Sequence, residues 1–345
     1  MDRHFPACFI ELPPSTEGRR AAFYLAAEEW VAKHLPEDSY LFTWQLGRTV
    51  VMGRNQVAHQ EVDLDFCKEN NIDVIRRKSG GGAIFADEGN IMLSLITPSG
   101  KVETIFQEYA STEAAGLRSL GVDVEVHGRN DIILSGKGKI CGNAFYHMAD
   151  RNIVHGTMLY DTDPALMQGA LYANPQKLKA KGVQSIRARV GLLRGVLKTP
   201  DGMTPSEEVT WLRGKLREIL TDRSVRIGDD VLHEIEAIEQ SYYEPSFLYG
   251  SSAADEITRS ARVEGCGTLS LHFSLKGSIV RAVRLTGDFF EVADAQQAFS
   301  DAFCGVTFTE LHLTEAIAKH HPERTIRNLN DAQLADIIKD VTINN

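Results

Sequence analysis

Residues 128–161 read GRNDIILSGKGKICGNAFYHMADRNIVHGTMLYD. Short runs of β-branched, aromatic and other apolar residues alternate with Gly, Asn and Asp, a pattern that predicts several short strands and no helix. Chemistry-bearing residues stand among these strands. Asn130 and Asp131 offer an amide and a carboxylate, and the carboxylate suits a magnesium ion carried by nucleotide phosphates. Lys139, flanked by Ile140 and followed by small residues, reads as a lysine pointing from a strand into a site. An ammonium there neutralises a phosphate or polarises a carbonyl. His155 to Thr157 open a further strand, and His155 reads equally as a substrate contact or as a structural histidine.

A second stretch, IRRKSGGGAIFADEGNIMLSLI at 75–96, places three glycines, Gly80 to Gly82, between a strand leading in and a strand leading out. Consecutive glycines there cost backbone entropy and leave nothing to pack. Two readings stand. One is a glycine-rich hairpin turn with solvated arginines. In the other, Ser79, the glycines and the small residues after them close over a planar or phosphate-bearing ligand, with Arg76 and Arg77 supplying charge-assisted hydrogen bonds. The P-loop string is absent, and GKGKICG misses the dinucleotide fingerprint by one residue.

Composition sets bounds. The chain has 345 residues, 43% hydrophobic and 24% charged, with a net charge of −10. That charge argues against a general phosphate-backbone binder, so no nucleic-acid partner is expected. No apolar run reaches the length of a membrane span, and the N-terminus lacks a basic region followed by an apolar core, so no membrane or signal segment is expected. Five scattered cysteines without a CxxC pair argue against a disulfide framework or a zinc site and favour a reduced, cytoplasmic protein.

Along the chain, 15–35 reads as a helix with Ser15 and Thr16 as candidate N-caps, 101–120 as another, and helical patterns fill 163–240. The pattern breaks at IEQSYYEPSFLYGSS, which suggests a linker at about 241–256. It would separate a domain of residues 1–245 from a compact α+β module of residues 246–345. The fold class is α+β, a mixed or antiparallel sheet with helices packed on it.

The strings RRKSGGGAIFADEGN, GRNDIIL, GKGKICGNAF, HGTMLYD and LKAKGVQSIRARV, in this order, resemble the lipoate–protein ligase A family. RVEGCGTLSLHFSLKGSIVRA is similar to that family's small C-terminal accessory domain. The resemblance implies the biotin/lipoate ligase fold, a mixed-sheet catalytic domain plus that small module. It implies ATP-dependent activation of lipoate to lipoyl-AMP, then transfer of the lipoyl group to a lysine of an acceptor. The acceptors implied are lipoyl domains of 2-oxo acid dehydrogenase complexes and the glycine cleavage H protein. ATP with Mg2+, and lipoate, would be bound as substrates, with no tightly held prosthetic group.

By the same resemblance, Lys139 is the central catalytic residue, touching both the lipoate carboxylate and the α-phosphate. Arg77, Gly82, Ala83, Ile84, Phe85, Asn130 and Asp131 would hold ATP, with Asp131 also the candidate Mg2+ ligand. Arg76, Ser79, Gly80, Gly81, Trp44 and His155 would hold lipoate. Trp44 reads equally as core packing. Cys141 stands where a small residue is common in the family, and reads as a nucleophile or as a small buried residue. An ATP-independent octanoyl or lipoyl transferase of the same fold and a non-catalytic lipoyl-binding protein stay open beside the ligase. Biotin ligase is disfavoured by the lack of a Gly-Arg-Gly-Arg string.

Overall fold

The computed structural model describes residues 7–128, 131–148, 150–172, 190–249 and 257–339. By contacts the chain forms two compact units. One comprises residues up to 52, 58–77 and 83–248. The other comprises residues from 249 onward, together with two loops from the first part of the chain, 53–57 and 78–82.

The large unit contains β1 (Ala7–Glu11), β2 (Tyr40–Trp44), β3 (Thr49–Met52), β4 (Asp73–Arg76), β5 (Ile84–Ala86), β6 (Asn90–Pro98), β7 (Val124–His127), β8 (Asp131–Leu134), β9 (Gly138–Met148), β10 (Arg151–Leu159) and β11 (Thr221–Arg226). Eight of these form a mixed sheet in the order β11-β1-β2-β6-β10-β9-β8-β7, and β4-β3-β5 form a small second sheet. β11, β1 and β2 run parallel, and the pairs from β2 to β7 are antiparallel. The predicted mixed sheet with packed helices is therefore present.

Four helices matter for the site: α1 (Ala21–His34), α2 (Val102–Ser119), α3 (Pro205–Leu220) and α4 (Leu232–Glu239). α1 is buried on nearly every side from Ala21 to Ala32. It packs with Tyr40, Phe42, Trp44, Met92, Ile96 and Ile153 of the large sheet in one core cluster. α2 covers the opposite face, where Phe106 meets Phe145 edge to face at 5.3 Å. A methyl group at Gly116 of α2 would overlap Ile219 of α3, so this glycine sets the close approach of the two helices.

Two local expectations are corrected. Thr221–Arg226 is an edge strand and not helix, because β1 offers it a parallel partner along one side, and an edge strand needs only that. The start of α1 is capped by Arg20 without a side-chain hydrogen bond, while Pro14–Thr16 form a separate 3-10 turn.

The second unit has an antiparallel sheet of β12 (Ile257–Val263), β13 (Gly267–Lys276) and β14 (Ile279–Gly287). Helices α5 (Ala295–Phe303), α6 (Glu310–His320) and α7 (Asp331–Ile337) share a core with one face of it, built on Leu269, Leu271, Phe273, Phe299 and Phe303. The two imported loops lie against the segment after β14. Gly81 N–H donates to Phe289 O at 3.1 Å and Gly287 N–H to Asn55 O at 2.7 Å, while Arg54 pairs with Glu291 at 3.2 Å.

Candidate active site

Side chains alternate between the two faces of a strand, so register decides which residues can meet. Trp44 lies opposite Met92 and Phe42 opposite Ser94. Ser94 lies opposite His155, and Met92 opposite Thr157. His155 and Thr157 in turn oppose Ala144 and Gly142, and Gly142 opposes Asp131. These residues form one continuous row across five strands, on the α1 face of the sheet. Between His155 and Asp131 that face carries only small side chains: Ala144, Thr157 and Gly142.

Lys139 joins the row through an irregularity. Cys141 pairs with Ile132, but Lys139 pairs with Ile133, leaving Ile140 as an extra residue in β9. Such a bulge reverses the alternation on one side of it. It turns Lys139 to the face of Asp131 and leaves Cys141 on the other. Lys139 Nζ then lies 2.7 Å from Asp131 Oδ1, with the lysine side chain about a third exposed (31%) and the aspartate largely covered. A methyl group at Gly142 would overlap the lysine's Nζ and Cε, so the glycine is the space into which the lysine folds. The chain after Val190 returns along the bulge, where Gly191 N–H donates to Lys139 O at 2.8 Å.

At the other end of the row a buried carboxylate acts as a hub. Glu28 of α1 is fully buried. It accepts from Ser94 Oγ at 2.5 Å, and His155 Nδ1 lies 3.1 and 3.2 Å from its two oxygens. Ser94 Oγ accepts from Trp44 Nε1 at 2.8 Å, and the Trp44 ring stacks on Tyr24 at 4.7 Å. A cleft of about 180 Å³, bounded by Tyr24, Thr43, Trp44 and Arg213 among others, lies beside Trp44 and does not include Lys139. Arg77 is buried, donates from Nη1 to Val51 O at 3.0 Å, and has its pKa pushed down to about 10. Desolvation is the main cause, Arg76 adds to it, and the charge of Glu28 opposes it. Arg76 is likewise buried and lowered to about 10 by desolvation, with Nε donating to Leu248 O at 3.0 Å. The reading of both arginines as solvated turn residues is therefore corrected. A guanidinium held at such depth costs solvation that an anion arriving there would offset.

The other expected residues fall as follows. Ser79, Gly80 and Gly81 belong to the loop of the second unit, where Ser79 is fully buried. Gly81 adopts φ 89°, a left-handed value that glycine permits at little cost. A methyl group at Gly80 would overlap Phe289 O. Gly82 has open space about its Cα. Ala83 and Ile84 are partly exposed. Phe85 is buried in a core cluster with Val50 and Met52, so only its backbone can serve a ligand. Asn130 lies outside the described residues, as does most of LKAKGVQSIRARV with Arg187 and Arg189.

Cys141 is fully buried on the α2 face. Its thiol lies 3.5 Å from Glu113 Oε1 and 4.0 Å from Asn143 Oδ1. Burial is the main cause that pushes the thiol well above its usual range, with Glu113 adding to it and Lys139 opposing. Glu113 is itself held up at about 7 by desolvation, and among the described residues neither its Oε2 nor the Tyr109 hydroxyl has a hydrogen-bond partner. A thiol so placed is a poor nucleophile. Glu28, Ser94 and Glu113 were not singled out in the sequence. The one available signal was a pair of acids, Glu28 and Glu29, inside the otherwise apolar helix AAFYLAAEEWVA.

Residues 20–210 match the lipoyl protein ligase A/B catalytic domain, and 252–338 match the bacterial lipoate protein ligase C-terminus. Lipoate–protein ligase 1 of Staphylococcus aureus is 32% identical over 302 residues, covering 86% of this chain and 90% of the relative. Two solved structures show the same fold. P. falciparum LipL1 in complex with lipoate has a TM-score of 0.73 at 17% identity, over 97% of this chain and 98% of that one. A lipoate–protein ligase A bound with ATP has a TM-score of 0.56 at 24% identity, over 71% and 99%. With both its catalytic and its C-terminal regions matched, and a relative aligned over nearly its whole length, this chain belongs to the lipoate–protein ligase family.

Proposed function

We propose that the sheet face from Trp44 to Lys139 binds lipoate and ATP, joins them as lipoyl-AMP, and passes the lipoyl group to a lysine of a lipoyl domain. The observation that carries this reading is the Lys139–Asp131 pair at 2.7 Å, set on the same face as His155 and Trp44 with their shared buried anchor, Glu28. An oxygen of the lipoate carboxylate attacks the α-phosphorus, and the bond to pyrophosphate breaks. Two anions approach each other in this step, and the Lys139 ammonium between them reduces their repulsion and stabilises the developing charge. The acceptor amine then attacks the acyl carbon, AMP leaves with the bonding pair, and the amine loses a proton to give the amide.

Arg77 meets phosphate charge with a guanidinium already stripped of water. His155, Ser94 and Trp44, held by Glu28, shape the acyl end. Among the described residues no cluster of three or more His, Cys, Asp or Glu is placed to hold a metal. Mg2+ would arrive with ATP, and Asp131 would add one carboxylate to the phosphate oxygens around it. No helix among the described residues is long and apolar enough to cross a membrane.

The test is pyrophosphate release with lipoate, ATP and Mg2+, followed by mass spectrometry of a lipoyl domain. Lipoate-dependent release and a lipoyl mass increment on one lysine support the reading. Lipoylation without ATP, or no lipoate-dependent pyrophosphate, overturns it.

A further inference from the structure

The three strands of the second unit are basic, and the segment that follows them is acidic. Ile257–Val263, Gly267–Lys276 and Ile279–Gly287 hold Arg259, Arg262, Lys276, Arg281 and Arg284 and not one Asp or Glu. The segment after them is the reverse, with Asp and Glu outnumbering Lys and Arg nine to four across 288–339. The whole chain stands at −10. Basic charge is thus gathered on one small sheet.

That sheet has one face in the core and one open. Leu269, Leu271, Phe273, Val283 and Leu285 fill the core face. Thr258, Ser260 and Arg262 on β12, and Ser270 and His272 on β13, alternate with the buried positions and are exposed or half-exposed. Their side chains form a hydroxyl lattice. Thr258 Oγ1 lies 2.9 Å from His272 Nδ1, His272 Nε2 lies 2.7 Å from Thr286 Oγ1, and Ser260 and Ser270 meet at 2.7 Å. A register shift at Ser274/Leu275 leaves both Arg281 and Ala282 exposed between the buried Val280 and Val283.

We propose that this open basic face docks an acidic protein surface, that of the acceptor domain in the transfer step. This rests on the ligase reading above. The sign of the charge selects the partner. An acidic partner is repelled by most of this chain and attracted here, which fixes its orientation as well as its affinity. Arginine suits the task, because its planar fork takes carboxylates two bonds at a time. A nucleic acid would present the same sign, but the described open-face positions carry no Phe, Tyr or Trp for bases to stack on, and the ring of His272 is tied at both nitrogens to Thr258 and Thr286. A second patch on the chain that performs the transfer also raises the acceptor's local concentration without a new contact at the reacting atoms.

The experiment uses the full chain carrying Arg262→Glu and Arg281→Glu. A lipoyl domain of a 2-oxo acid dehydrogenase complex and a glycine cleavage H protein serve as probes, at about 50 and about 300 mM salt. Wild-type protein should show an acceptor KM that rises with salt. The double variant should raise the low-salt KM by about tenfold, lose most of the salt dependence, and keep kcat and lipoate-dependent pyrophosphate release within about twofold. An acceptor KM that stays put in the folded double variant overturns the proposal while the ligase reading survives on its pyrophosphate signal. Loss of that signal in wild-type protein instead sinks the ligase reading. If the double variant does not fold, Arg262→Gln with Arg281→Gln should still raise KM about threefold, and an unchanged KM there has the same force. A fluorescent single-stranded RNA that binds wild-type protein and not the variant, with acceptor KM unchanged, overturns the proposal in favour of nucleic acid.

Discussion

Glu113→Gln replaces a buried acid by an uncharged side chain of nearly the same size, beside Tyr109 and Cys141 and on the reverse of the strand that carries Lys139. In the folded protein desolvation holds this carboxyl at about 7, against 4.5 when free. Tyr109 and Cys141 face it as acids that stay protonated, Asn143 is neutral, and Lys139 and Asp131 compensate each other on the far face. The unfolded chain releases the Glu113 proton first as pH rises. Stability linked to this group is therefore intact below about 4.5, falls between 4.5 and 7, and is fully lost above. At about 1.4 kcal/mol for each pH unit, the loss amounts to about 3 kcal/mol. Trp30, Trp44 and Trp211, the chain's three tryptophans, all belong to the large unit, so their fluorescence in a urea titration reports its unfolding. The difference in unfolding free energy between variant and wild type should grow in the variant's favour by about 3 kcal/mol from pH 4.5 to 8, whatever constant offset the new amide adds. A difference that stays flat across that range would mean Glu113 ionises as it does in water, and the cluster behind Lys139 would not be dry.

Lys139→Ala should leave the melting temperature nearly unchanged and slow lipoate-dependent pyrophosphate release by at least about a hundredfold, since one well-aimed electrostatic group is worth about 3 kcal/mol in a transition state; near-normal release by the folded variant defeats the mechanism. Gly142→Ala puts a methyl group where Lys139 Nζ rests, so adenylation should fall about tenfold or more with little loss of stability, the lysine being free to swing aside; a variant as active as wild type shows that the lysine works from elsewhere. Glu28→Ala strips the shared acceptor from Ser94 and His155 and should cost about 2–4 kcal/mol in urea unfolding. Glu28→Gln should keep most of that stability while raising the lipoate KM more than it lowers kcat; equal effects of the two variants on stability and KM would reduce Glu28 to core packing.

The broad fold was legible because strand propensity and turn residues are local properties. β9 and β10 follow directly from the alternation and glycines of 138–159, and α2 was readable to within a residue or so at each end. Thr221–Arg226 was misread because its short, mixed pattern becomes a strand only when β1 lies alongside. The candidate site was legible where neighbouring strands of one stretch carry it, as with Lys139 and Asp131, which the fold brings together. It was not legible where it depends on register or tertiary burial. Glu28, Ser94 and His155 come from three separate stretches and meet only after the sheet is built. Arg76 and Arg77 read as solvated or ligand-binding with equal ease, because nothing local says how deep they lie. Nor does any local signal assign Gly80 and Gly81 to the unit built around β12–β14.

The extra residue in β9 has a chemical consequence beyond geometry. A regular ladder would set Lys139 and Cys141, two positions apart, side by side on one face. An ammonium beside a thiol draws it toward thiolate, and a thiolate within reach of a mixed anhydride captures the acyl group as a thioester. Ile140 separates the two by inverting the strand between them. The cation faces Asp131 while the thiol, two residues on, is walled into the α2 core, where burial pushes it up and keeps it protonated. On the proposed chemistry, the bulge would thereby insulate the activated acyl group from a competing nucleophile that the same strand carries.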